Sequence, residues 1–184
     1  MIILNLEKSN TYFKKILKNY LNMINLPHLE CPICHSTDYI RWGFYERNII
    51  YFSNDYISLE SSIIKIQRIK CNSCSHTHAL IPFGIIPYKQ FSDKIISKIL
   101  IEKLSNSIDS ISSKYHIDYN IIKNWIHQFN SFHLSKISII TSIHNIKDMI
   151  NEFLSNVDYK LMYIKQFSCC FMQIKLSSII LNTS

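Results

Sequence analysis

Four cysteines stand in two matched units, CPIC at residues 31–34 and CNSC at residues 71–74. Each unit sets two thiolates on one tight turn, so a single ion can be gripped twice and a tetrahedron completed. Zinc favours four soft, deprotonated ligands in closed sites. Cys31, Cys34, Cys71 and Cys74 therefore read as the ligands of one structural Zn2+. A full set of four leaves no open position for substrate, which points to scaffold instead of catalysis. A redox dithiol or four free buried cysteines are the competing readings. His35 and His76 each follow a knuckle closely and read as surface or outer-sphere groups. Cys169 and Cys170 are adjacent, which suits neither a shared zinc nor an ordinary disulfide, and they read as core residues.

The gap of 36 residues between the knuckles, 35–70, is long for a compact finger. The chain must leave the metal and return, most simply as a β-hairpin. The residues agree: 39–45 are aromatic-rich, 49–52 form a short apolar run, and 62–70 alternate as SIIKIQRIK. THALIP at 77–82 predicts one more strand, and Pro82, Gly84 and Pro87 mark a turn-rich connector.

Helix is expected on both sides. Over residues 9–24, Phe13, Ile16, Leu17, Tyr20, Leu21 and Ile24 recur at three- and four-residue spacing, and Pro27 closes that segment. Past residue 91, Ser92 can cap a run holding Ile95, Ile96, Ile99 and Leu100. Residues 108–125 fit a helix-turn-helix: Ile111 and Tyr115 on the first helix, Ile117 in the turn, Ile122 and Trp125 on the second, with Ser112 small at the crossing and Asp118 as cap. His116 holds the turn position often given to Gly. The helical period throws Tyr119, Asn120, Lys123, Asn124 and His127 outward, residue types able to meet phosphates and base edges. A three-helix bundle that meets no DNA satisfies the same pattern. Residues 92–130 are nearly charge-balanced, so further basic contacts are sought on the hairpin, at Arg41, Arg47 and Arg68, with Lys65 and Lys70 beside them.

The expected architecture is α+β in four parts: a helical segment at 1–29, a zinc ribbon at 30–90, a helix-turn-helix at 91–132 and a helical tail at 133–184. The 184 residues carry a net charge of +7, which favours polyanionic partners. No apolar run is long enough to span a bilayer, and the opening MIILNL meets Glu7 too early for a secretory signal, so the chain reads as cytoplasmic with no membrane partner. No glycine-rich phosphate loop, nucleophile elbow or metalloprotease His pair occurs.

The order CPIC, RWGFYER, IQRIKCNSCSHTHALIP, PYKQFS and then a helix-turn-helix resembles the N-terminal regions of bacterial insertion-sequence transposases. It is more closely similar to an uncharacterised family of transposase-like zinc-ribbon proteins from low-GC bacteria, over residues 31–130. The resemblance implies recognition of double-stranded DNA with the four cysteines as metal ligands. The nuclease domain of full-length transposases is not expected here: after Phe132 only Asp148, Glu152 and Asp158 are at hand. The chain therefore reads as a non-enzymatic DNA-binding protein related to mobile-element transposases. It could be a homo-oligomer or the companion of a transposase chain. A transcriptional regulator or a protein-interaction module built from the same parts is the alternative.

Overall fold

In the computed structural model, residues 1–4, 29–53, 58–143, 145–173 and 180–182 are described. The helix expected at residues 9–24 lies outside them. The protein is α+β. Strands β1 (Ile2–Leu4), β2 (Tyr39–Phe52), β3 (Leu59–Cys71), β4 (Thr77–Pro82) and β5 (Ile180–Asn182) form a sheet in the order β2-β3-β4-β1-β5. The β2–β3–β4 part is antiparallel, and β1 lies parallel to both β4 and β5. Helices α1 (Asp93–Glu102), α2 (Ile108–Tyr115), α3 (Tyr119–Gln128), α4 (Leu134–Thr141), α5 (Ile146–Ser155) and α6 (Val157–Phe167) follow, with a π-helical turn at Phe129–His133 between α3 and α4.

The two apolar runs expected at 39–45 and 49–52 are one continuous strand, because every residue from Phe44 to Phe52 finds a partner on β3. Isoleucines dominate the sheet core, where Ile49, Ile64, Ile66, Ile69, Leu80 and Ile81 pack with Ile2 and Ile3. Branched side chains suit this pleated, buried surface.

A second core joins the helices: Ile95, Ile96, Ile99, Ile111, Tyr115, Ile117, Ile122 and Trp125, continued by Phe153, Tyr163 and Phe171. Helices α4, α5 and α6 lie in the part after residue 133 expected to be a helical tail, but that part also supplies strand β5 and is no appendage. Ile164 on α6 and Cys170 beyond it pack into the sheet core, while Tyr163 and Cys169 belong to the helical one. Lys160 is buried and donates to Asp93 Oδ2 at 2.8 Å and to Ser97 Oγ at 3.1 Å, tying α6 to α1. The apolar stretch at 161–181, whose period is ambiguous in sequence, begins in α6, up to Phe167, and ends in β5, from Ile180.

Local signals explain the helix ends. Ser107, Asp118, Asn145 and Asn156 cap α2, α3, α5 and α6 with side-chain oxygens that accept main-chain N–H groups. Ser92 occupies the cap position of α1, yet its side chain makes no capping bond. Its main chain is used instead: Ser92 N–H donates to the Ile50 carbonyl at 2.9 Å, and Ile50 N–H to the Gln90 carbonyl at 2.8 Å. The connector thus runs as an extra edge along β2 before the helices begin. No helix among the described residues is long and apolar enough to cross a membrane.

Candidate metal centre and basic surface

The two knuckles fold by one recipe. Cys31 N–H donates to Ser36 O and His35 N–H to Cys31 O, at 2.9 and 3.0 Å; Cys71 N–H donates to His76 O and Ser75 N–H to Cys71 O, both at 2.9 Å. The residue after each second cysteine, His35 or Ser75, takes left-handed backbone angles, with φ of 60° and 61°. A polar stitch holds the turns together: Asn72 bonds Asp38 through main chain and side chain, and the Ser73 hydroxyl meets that of Ser36 at 2.8 Å.

The four sulfurs converge in consequence. Cys31 Sγ lies 3.6 Å from Cys74 Sγ and Cys34 Sγ lies 3.6 Å from Cys71 Sγ, each contact crossing between knuckles, and all four atoms fall within 4.8 Å of one another. A tetrahedron with metal–sulfur bonds of about 2.3 Å has sulfur–sulfur edges of about 3.8 Å. The cluster can therefore hold a metal ion.

Its electrostatics suit a cation. Burial pushes the Cys31 thiol up, but hydrogen bonds from the Cys34 and Ile33 amides and from the Cys74 and Cys34 thiols outweigh it, bringing the group down to about 6. At Cys74 the His76 amide pulls the thiol down, while burial and the three neighbouring thiols push it up to about 12. Protons are thus shared unequally among four close sulfurs, an arrangement that a divalent ion replaces.

His35 and His76 are both exposed, as the sequence suggests. The histidine that touches the sulfurs is His78, 4% exposed, with Nε2 3.4 Å from Cys31 Sγ. Burial drives its imidazole down to about 4, so the ring is neutral at physiological pH and its N–H can support a thiolate. Spacing from the knuckle hides this residue. Strand alternation reveals it, since His78 pairs with Ile69 and shares that buried side.

The helical pair forms as its pattern requires. His116 joins α2 to α3 with φ 52°, left-handed as expected of a non-glycine turn residue that tolerates it. Ser112 closes the turn by donating to the Ile117 carbonyl at 2.7 Å, and Asp118 accepts from Asn120 N–H at 2.7 Å. Ile122 and Trp125 are buried, while Tyr119, Asn120, Lys123, Asn124 and His127 are all exposed. The arginines of the hairpin differ in use. Arg41 is exposed, with Nη1 on Gln67 Oε1 at 3.3 Å, and Arg68 donates to Thr77 Oγ1 at 3.1 Å. Arg47 turns inward and donates to the main-chain carbonyls of Ile86 and Lys89, so it braces the connector. Asp148, Glu152 and Asp158 are exposed, and the four-cysteine group is the one metal-capable cluster among the described residues.

Residues 31–125, running from the first ligand cysteine to the buried Trp125 of α3, match a domain of unknown function, DUF6431. The chain belongs to the DUF6431 family. In this chain that span includes both knuckles, the hairpin, α2 and α3 as far as Trp125. No curated protein and no solved structure matches the chain.

Proposed function

We propose that this DUF6431 protein is a zinc-organised DNA-binding protein, in which the β2–β3 hairpin and its two knuckles act as a zinc ribbon and α2–α3 as a helix-turn-helix. The observation that carries the reading is the division of α3: Ile122 and Trp125 buried, and Tyr119, Asn120, Lys123, Asn124 and His127 exposed along the opposite side. Such a helix can enter a major groove, with Lys123 and His127 on phosphates or guanine acceptors and the asparagines on adenine. The metal does no chemistry. It would fix the two knuckles, and with them the strands that carry Arg41 and Arg68. The reading assigns no catalytic step to this chain, in keeping with the transposase-like resemblance of its sequence, and it acts on double-stranded DNA inside the cell.

Three measurements test it. Elemental analysis should find one zinc per chain, lost in Cys71→Ser, and chelation should collapse the β-signal in circular dichroism, since structural zinc binds with roughly 10–16 kcal/mol. Titration with random duplex DNA at several salt concentrations should give a log–log slope of about −0.9 per phosphate contact. Lys123→Ala should weaken binding and flatten that slope by about one. Absence of duplex binding at low salt would favour a protein-interaction module, and unchanged affinity in Lys123→Ala would remove α3 from the interface.

A further inference from the structure

The register of β2 slips between Arg41, which pairs with Ile69, and Phe44, which pairs with Gln67. Trp42 and Gly43 thus share the place opposite Arg68, a bulge of the kind that re-aims side chains. Gly43 takes the left-handed angle it needs, φ 80°. The bulge is propped by a buried amide: Gln67, 8% exposed, donates Nε2 to the carbonyls of Gly43 and Arg68 at 2.6 and 2.7 Å while accepting from Arg41. Held this way, the Trp42 indole stays 48% exposed, with Lys70 Nζ 4.8 Å from its ring centre.

The surroundings continue the theme. Arg68 and Lys70 lie two apart on β3 and so point to one side, the side on which Tyr45 stands opposite Ile66 and Arg47 opposite Ile64. Tyr45 is 39% exposed. Because Arg47 grips the Ile86 and Lys89 carbonyls, the connector bearing the 65% exposed Tyr88 is drawn against this same side. Lys89 then reaches Gln128 Oε1 at 2.8 Å, one helical turn beyond Asn124 on α3. Of the two acids on β2 and β3, Glu46 pairs with Lys65 on the other side, and Glu60 sits at the far end beside the Tyr51 hydroxyl.

Ile40, opposite Lys70, is also exposed, but the rings here alternate with the cations Arg68 and Lys70, which matches a strand that offers bases and phosphates in turn. We propose that Trp42, Tyr45 and Tyr88, interleaved with Arg68 and Lys70, form a stacking track for unpaired DNA nucleotides, continuous through Lys89 with the outer face of α3. This deepens the DNA-binding reading and rests on it.

Trp42 is its own reporter, since the chain's other tryptophan, Trp125, is buried and gives a constant background. An oligothymidylate of about twelve nucleotides added to the zinc-loaded protein should quench Trp42 emission. By anisotropy of the labelled oligonucleotide, Trp42→Ala should bind roughly ten-fold or more weakly and Trp42→Phe within about two-fold of the parent. Both variants should keep their zinc and their affinity for duplex. Unchanged emission, or unchanged oligothymidylate affinity in Trp42→Ala, overturns the track even where duplex binds normally. Quenching without duplex binding leaves the track standing and removes α3 as a duplex reader. A Trp42→Phe loss as large as that of Trp42→Ala would also overturn it, because a retained ring must retain stacking.

Discussion

Replacing Lys160 by Met should cost this protein about 3 kcal/mol, a large share of the stability of a domain. The ammonium lies 2.8 Å from Asp93 Oδ2, and the two side chains are 8% and 10% exposed. At that distance, an effective dielectric of about 20 gives an attraction of about 6 kcal/mol. Removing one partner also removes the burden of burying the lysine, so breaking such pairs costs a net of about 3–5 kcal/mol. Asp93 opens the first turn of α1, whose amide dipoles offset the stranded charge by up to about 1 kcal/mol, which places the expectation near the lower bound. Urea denaturation of zinc-saturated protein, followed by far-ultraviolet circular dichroism, measures the loss. The double variant Asp93→Asn/Lys160→Met should recover much of it, since no charge is then left buried. A loss below about 1 kcal/mol in the single variant, or strict additivity in the double, would refute the view that this pair fastens α6 to α1.

Two further outcomes follow from buried or strained groups. Burial, with Lys136 and Lys89 nearby, pushes the His133 imidazole down to about 4 from its ordinary 6.5, while Nδ1 stays 2.6 Å from the Tyr163 hydroxyl. The folded state thus prefers the neutral ring: its contribution is complete above pH 6.5 and fades as the pH falls toward 4, by about 3 kcal/mol at the limit. A urea series from pH 7 to pH 4 should show this slope, and His133→Gln should flatten it. Gly43→Ala should lower stability by about 1 kcal/mol in the same assay, entirely from its left-handed angle, because an added Cβ meets nothing within 4 Å.

The metal cluster was legible in sequence because two short turns dictate local geometry almost unaided, and the knuckle hydrogen bonds repeat residue for residue. The helical pair was legible for a similar reason: caps, a left-handed turn and the 3.6-residue period of Ile111, Tyr115, Ile122 and Trp125 are short-range signals. What escaped is what depends on register and on distant partners. Nothing near residue 78 says that a histidine four positions past Cys74 returns to the sulfurs; the pairing of β3 with β4 decides it. Arg47 looked like an open cation because its acceptors, the carbonyls of Ile86 and Lys89, belong to a connector whose path is set by the edge of β2. The residues past 133 looked like an appendage because the partner of Lys160 lies far back at Asp93.

The parallel placement of β1 between β4 and β5 has a consequence in time. Ile2–Leu4 is synthesised well before Leu80–Pro82, the strand it pairs with on one edge, and its other edge waits for Ile180–Asn182. Contacts this distant along a chain form slowly. The knuckles and the α2–α3 pair, built from near neighbours, can be complete while the sheet is still open on one side. Formation of the two knuckles is therefore the early event, and closure of the sheet the late one.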